Sequence, residues 1–343
     1  MAVGGHGMRN LLLAVVLVLA GIIAGLILAE NQAPGPALSA AQGVEEPPVA
    51  EAVALPAVVQ NLEPKPEPAS AIRASSDPAL ALVALRGKLL AEVDADIDGG
   101  RYALASRNLA RMVVAVTRLD VGAAVPVSQL EPIQLRIRRL NQAWLLAPDG
   151  DWAAASEKVR DGDALERIVR RFRKDHGLRV TVEMLRLFNG LRGDLIYPGQ
   201  TLRVPTGEIR IEIWKASFTM VLWIGEAVAG LYPVGLGNDL GPTPEGDFSI
   251  INRSEYPVWF RRGAPPGQAQ VPPYDPVLNP DNPLGTRWIG FAPADGREGL
   301  GIHGTNDDAA IGHKISQGCI RMLNRDVEEA YPLVPRGSTC TIY

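Results

Sequence analysis

Leu11 to Ala29 is a run of nineteen uncharged, almost wholly apolar residues. As a helix it would be roughly 28 Å long, close to the thickness of a bilayer's hydrocarbon core, so it commits the chain to a membrane or to export. Arg9 precedes the run and Glu30 follows it. That asymmetry places residues 1–10 in the cytoplasm as a short tail and everything after the run outside. Two readings stay open: a single transmembrane helix over residues 11–29, or a signal peptide cleaved near Ile27 and Ala29. Both export the chain, and the length of the apolar run favours the anchor.

Beyond it, residues 30–77 are rich in Pro and Ala, with Pro47-Pro48 and the alternation Glu63-Pro64-Lys65-Pro66-Glu67-Pro68. A stretch with so little to bury leans toward extended polyproline conformations and reads as a disordered spacer. What remains is globular in composition, and the 343 residues suggest two or three domains. A net charge of only −4, without a large basic cluster, argues against a nucleic-acid partner.

Three folded regions follow. Residues 78–150 read as helical: Leu82, Leu85, Leu89 and Val93 recur at helical spacing, Asp98-Gly99-Gly100 breaks the chain, and a further segment carries Leu135, Ile137, Leu140 and Trp144. This predicts an N-terminal helical hairpin, a packing partner or spacer that leaves room for a protein partner of unknown identity. In residues 155–205, Asp163 and Glu166 are spaced as a capping box ahead of the apolar stripe Leu165, Ile168, Val169 and Phe172. Thr181 is placed to cap a second helix ending at Asn189-Gly190, with short strands at Val159 and at Leu202 to Val204. From Glu208 on the apolar period becomes two: Ile209, Ile211 and Ile213 alternate, and two more apolar runs flank Gly225-Glu226 as a tight hairpin. Residues 208–343 thus read as a mainly-β domain with one late helix, for which Asn324 is a candidate cap.

The last domain holds both cysteines, Cys319 and Cys340. A reactive cysteine needs a base beside it, because the thiolate is the nucleophile and a neutral imidazole is the base available near pH 7. His303, within Gly301-Ile302-His303-Gly304-Thr305, is the favoured candidate. Gly318 lets the backbone approach closely, so that main-chain N–H groups beside Cys319 could receive an oxyanion. Arg321 adds a positive charge for a substrate carboxylate or for the loop itself. A zinc reading through His303, His313 and Cys319 lacks compact ligand spacing and a fourth group, so no metal is expected. Cys340 lies in an alternating segment typical of a closing strand and reads as a buried free thiol, although export would permit a disulfide.

Two resemblances join these observations. The strand-helix-helix-strand pattern, with "DGD" near its start and "YPGQ" before its last strand, resembles a LysM module, a family that binds N-acetylglucosamine-containing glycans such as peptidoglycan. The ordered motifs "PVGLG", "GPTPEGDF", "NPLGTRW", "GIHGT" and "SQGCIR" closely resemble the L,D-transpeptidase catalytic domain. The resemblance implies a β-sandwich in which a cysteine is acylated by a peptidoglycan stem peptide and passes the acyl group to an amine. Carried over, Cys319 is the nucleophile, His303 the base, Gly304 the source of an orienting carbonyl and Gly318 part of the catalytic loop, while Arg321, Ser316 and Gln317 contact substrate. No cofactor is implied.

One departure stands out: the family's usual Ser-His-Gly-Cys is here Ser316-Gln317-Gly318-Cys319. The alternative function is therefore a non-catalytic wall-binding protein with a degenerate domain. The whole is expected to be a multidomain α+β protein of the cell envelope, anchored in the cytoplasmic membrane with its catalytic domain facing the wall.

Overall fold

The computed structural model describes residues 78–118, 124–147, 150, 152, 154–261, 265, 270–293 and 298–343. The expected tail, membrane segment and spacer over residues 1–77 lie outside these. Among the described residues no helix is long and apolar enough to cross a membrane. From Ala84 to Tyr343 the described chain forms one compact unit.

Three helices lead: α1 (Pro78–Asp98), α2 (Tyr102–Thr117) and α3 (Val127–Leu140), the last continued by a π turn over Asn141–Leu145. The break between α1 and α2 is made by Gly99-Gly100, Gly100 adopting a φ of 70° that glycine alone takes without strain. Val93, Ile97, Leu109, Val113, Leu130, Ile133, Ile137 and Leu140 are buried. Leu135, expected on the inner stripe, is 61% exposed. Ile137 and Leu140 are buried as their spacing implied, Ile133 joins them one turn earlier, and α3 is tied to α1 by Arg136 on Asp94 (2.6 Å).

The next module pairs β1 (Ala154–Lys158) antiparallel with β2 (Thr201–Pro205) around α4 (Leu165–His176) and α5 (Val182–Phe188). Leu165, Ile168, Phe172, Met184, Leu185, Phe188 and Leu202 fill its core. Thr181 caps α5, its Oγ1 accepting from Met184 N at 3.1 Å. The expected capping box on α4 does not form: Ala164 is the N-cap residue and makes no side-chain cap. Asp163 accepts from Arg160 N (3.0 Å) and pairs with Arg171 (3.1 Å), so its carboxylate is spent holding the turn before the helix. The strand precedes Val159, whose N–H instead bonds to Gln200 O at 2.8 Å.

The remaining chain forms β3 (Ile209–Trp214), β4 (Thr219–Ile224), β5 (Ala227–Pro233), β6 (Leu236–Gly237), β7 (Gly246–Glu255), β8 (Trp259–Phe260), β9 (Gln270–Val271), β10 (Arg287–Phe291), β11 (Gly301–His303), β12 (Lys314–Ser316), β13 (Ile320–Arg321), α6 (Asn324–Ala330) and β14 (Thr339–Ile342). Eight strands join in the order β13-β11-β10-β7-β14-β3-β4-β5, while β6 pairs with β12 and β8 with β9. The long strand β7 is shared between two halves: Gly246 to Ser249 pair with β14, and Ile250 to Glu255 pair with β10. A strand that changes partners midway is the device by which strands turn the corner between packed sheets. Gly225-Glu226 form the two-residue hairpin between β4 and β5, with Ile224 opposite Ala227.

β5 is an edge strand, and the helices cover it. Gln134 Nε2 donates to Leu231 O and Asn141 Nδ2 to Ala229 O, both at 2.8 Å and both buried. These two carbonyls, on alternate residues, point away from β4, where a further strand would otherwise pair. Arg138 of α3 reaches Glu329 (2.8 Å) and Asp326 (3.5 Å) on α6. The helical segment is therefore built into the sheet domain as its edge cover.

Candidate active site

β11 and β13 lie parallel, with Ile302 opposite Ile320 and His303 opposite Arg321. Because strand side chains alternate, the two isoleucines share one buried face, and His303 and Arg321 stand side by side on the other. Continued one residue back from β13, the same alternation puts Cys319 on the face of His303. The sixteen residues between histidine and cysteine are thus folded away by the parallel pairing. Short apolar pairs, Ile302 and Ile320, bring the two polar residues together.

His303 is 3% exposed. Its Nδ1 lies 2.6 Å from Gly304 O. A carbonyl only accepts, so Nδ1 carries the proton and Nε2 keeps its lone pair. The ring stacks on Trp288, with centroids 5.7 Å apart and planes at 20°, and Trp288 Nε1 in turn donates to Asn252 Oδ1 at 2.8 Å. Burial lowers the His303 pKa to about 4, reinforced by the charge of Arg321 and opposed by the Gly304 carbonyl. The imidazole is therefore neutral at pH 7, the state a base requires.

Cys319 is half-buried and unbridged, and its Sγ lies 3.5 Å from Gly299 O. It follows Gly318, whose φ of 111° is open to glycine and strained for other residues. Ser316 is 3% exposed, and its hydroxyl is used inside the loop: it accepts from Gly318 N (3.2 Å) and donates to Cys319 O (2.6 Å). Ser316 therefore shapes the loop from within, and the Gly318 N–H is turned toward its hydroxyl. Gln317 is exposed, as is His313.

The "PVGLG" and "GPTPEGDF" motifs support the loop from the other side. Gly235 and Arg321 exchange backbone hydrogen bonds at 2.9 Å, Asn238 N donates to Ser316 O at 2.8 Å, and Thr243 Oγ1 accepts from Gly237 N at 2.8 Å. Arg321 is half-buried, and its Nε is buried without a hydrogen-bond partner. Burial pulls its pKa down, while Asp307 and Cys319 push it up. The guanidinium lies on the face of the sheet that carries His303.

Sequence reasoning missed two supports, Trp288 and Asn324. Asn324 was expected to cap the last helix. Instead Leu323 is the N-cap residue, and the Asn324 amide bonds to backbone on either side of the histidine turn: Oδ1 accepts from Thr286 N and Thr305 N (both 3.2 Å), and Nδ2 donates to Thr305 O (2.8 Å). The clue available in sequence was Gly304, a glycine directly after the candidate base, together with Gly285 in a separate motif.

Comparisons with known proteins place both domains in families. Residues 208–342 match the model of the L,D-transpeptidase catalytic domain, and residues 158–205 match that of the LysM domain. The chain is 30% identical over 191 residues to the YkuD protein of Bacillus licheniformis, assigned by its name to the L,D-transpeptidases. That match covers 54% of this chain and 96% of the relative. The Bacillus subtilis YkuD protein is 31% identical over the same shares. A solved L,D-transpeptidase from Mycobacterium smegmatis is 18% identical over 42% of this chain and 63% of that one, with a TM-score of 0.33, too partial a superposition to add weight. The chain belongs to the L,D-transpeptidase family and carries a LysM domain upstream of its catalytic domain.

Proposed function

We infer that this chain is a peptidoglycan L,D-transpeptidase in which Cys319 is the nucleophile and His303 the base. The observation that carries the reading is the 2.6 Å bond between His303 Nδ1 and Gly304 O, on a strand that runs parallel to the one Cys319 opens. With Nδ1–H held by the carbonyl, Nε2 takes the thiol proton as Sγ attacks the stem-peptide carbonyl. The tetrahedral intermediate collapses, the terminal D-residue leaves as an amine with that proton, and a thioester remains on Cys319. An acceptor amine then attacks the thioester, gives its proton to His303 and releases the cross-linked product, and the proton returns to the thiol. Arg321, half-buried and beside His303 on the same face of the sheet, would hold a carboxylate of the stem peptide through the exposed part of its guanidinium.

The non-catalytic alternative is not favoured. Gln317 replaces the usual histidine at an exposed position, while the buried parts of the site, His303, Gly304 and Ser316, are in place.

The LysM domain would hold the enzyme on glycan strands and raise the local concentration of stem peptides. The site is in the cell envelope, and the apolar run Leu11 to Ala29 would anchor the chain in the cytoplasmic membrane with the folded part facing the wall. Fractionation checks the anchor: recovery of a mature form beginning near Glu30 in the soluble envelope fraction would replace it with a cleaved signal. Mass spectrometry of the purified protein mixed with muropeptides checks the activity. A thioester adduct on Cys319 that disappears when an amine acceptor is added is expected, and absence of any adduct on folded protein overturns the reading.

A further inference from the structure

We propose that Asn324 is a positioning residue for His303: its amide fastens the Gly304-Thr305 turn so that the Gly304 carbonyl stays in line with imidazole Nδ1. The inference rests on His303 acting as the base, and it assigns a task to a side chain outside the set of reacting groups. Asn324 bonds to both backbone groups of Thr305, the residue directly after Gly304, and to the N–H of Thr286 on the approach to β10. One side chain thus pins the segment leaving β11 to the segment entering β10. The third link is already in the backbone, where Gly304 N donates to Arg287 O at 3.1 Å.

The space around the amide is cleared for it. A Cβ added at Gly285 would stand 2.1 Å from Asn324 Oδ1, and one added at Gly304 would stand 2.2 Å from it. Gly285 also has a φ of 62°, in the left-handed region. Two bare positions from two distant motifs meet one amide, and that arrangement makes sense if the amide must enter the turn rather than lie on its surface. Asn324 is the first residue of α6, so its backbone is fixed by the helix and the amide is presented from a rigid element. An aspartate there would set a second acceptor against Thr305 O, where the amide N–H now donates.

The consequence for chemistry follows from the histidine's surroundings. Its ring is held on one side by Trp288, on another by Gly304 O, and faces the charge of Arg321 on β13. If the turn loosens, Nδ1 loses its acceptor, both ring tautomers become populated, and water reaches the imidazole. The neutral form is then no longer enforced by burial, and the acid limb of the reaction moves upward toward the ordinary histidine range of about 6.5.

The test uses the full chain, a synthetic tetrapeptide stem as acyl donor, and the rate of adduct formation by mass spectrometry over pH 4–8. Asn324→Ala and Asn324→Asp are each expected to slow acylation about 10- to 100-fold per folded molecule, to raise the acid limb, and to leave the peptide concentration for half-maximal rate nearly unchanged. Ring nitrogen chemical shifts should report the Nδ1–H tautomer in the natural protein and a mixture in Asn324→Ala. Should the alanine variant fail to fold, Asn324→Ser, small enough to admit a bridging water, carries the same comparison with a smaller loss. A rate that falls only in proportion to the folded fraction, with the acid limb and ring tautomer unmoved, overturns the proposal. Failure of the underlying reading would look different: His303→Ala would then acylate as fast as the natural protein.

Discussion

Cys340 and Cys319 place the same side chain in two opposite settings of one domain. Cys340 lies on β14, between Ile211 of β3 and Phe248 of β7, with no exposed surface. Burial, helped by Asp247, pushes its thiol far above the usual range. Cys319 stands where the chain enters β13, half-buried, after a glycine in a strained region, with a guanidinium two residues on and a neutral imidazole on its face of the sheet. In the first setting sulfur is a small apolar filler. In the second it stands on the same face as the imidazole proposed as its base. Residue type therefore says little about reactivity, and the neighbours supplied by strand register decide it.

The sharpest way to break this contrast is to remove each sulfur in turn. Cys319→Ala should abolish acyl-enzyme formation, whereas Cys340→Ala should acylate normally per folded molecule, both read by mass spectrometry. Equal loss in the two would show that the central strand, too, takes part in the reaction. Next in size, His303→Ala should slow acylation about 100-fold, the usual scale for a positioned general base, while His313→Ala and Gln317→Ala should change it little.

Titration sharpens the contrast further. With the His303 pKa lowered to about 4, the acid limb of acylation should lie near that value rather than near 6.5. The same shift has a stability consequence of fixed sign. Between about 6.5 and 4 the unfolded chain binds a proton that folded His303 refuses, so this contribution is complete above 6.5 and is lost as pH falls through that window. Asp326, raised to about 6 by burial, acts in the opposite direction, since the folded state gains a proton there first. The histidine's part is therefore to be read as the difference between the natural protein and His303→Ala in melting temperature across pH 4–7. A difference independent of pH would deny the burial of the imidazole.

The smallest effect belongs to the inert cysteine. Cys340→Ser puts a hydroxyl into an apolar strand and should cost roughly 1–3 kcal/mol of stability, seen in the denaturation midpoint, with the acylation rate of folded molecules unaltered.

Much of this was legible in the sequence because short-range patterns carried it. The alternation at Ile209, Ile211 and Ile213, the Gly225-Glu226 hairpin and the Thr181 cap each depend on a few neighbouring residues, and the structure repeats them. The ordered motifs pointed to the family. What local pattern could not carry was decided at long range. Asp163 was drawn from its cap by Arg171 eight residues on, and Asn324 by the turn after His303. Leu135 faces outward because the docking of α3 on β5 chose a face that its spacing alone left undetermined. The hydroxyl of Ser316 spans the backbone on both sides of Cys319's amide link, a pairing that only the folded loop reveals.

The cover over β5 sets a limit on how this enzyme can be dissected. A fragment beginning at residue 208 would match the family's catalytic boundaries, yet it would leave Ala229 and Leu231 offering bare carbonyls along an apolar strand whose side chains are all buried in the intact chain. Such a strand invites pairing with its own copy in another molecule. A fragment cut at the family boundary is therefore expected to self-associate more than one that keeps the helices, because Gln134 and Asn141 occupy the carbonyls that a second copy's strand would otherwise reach.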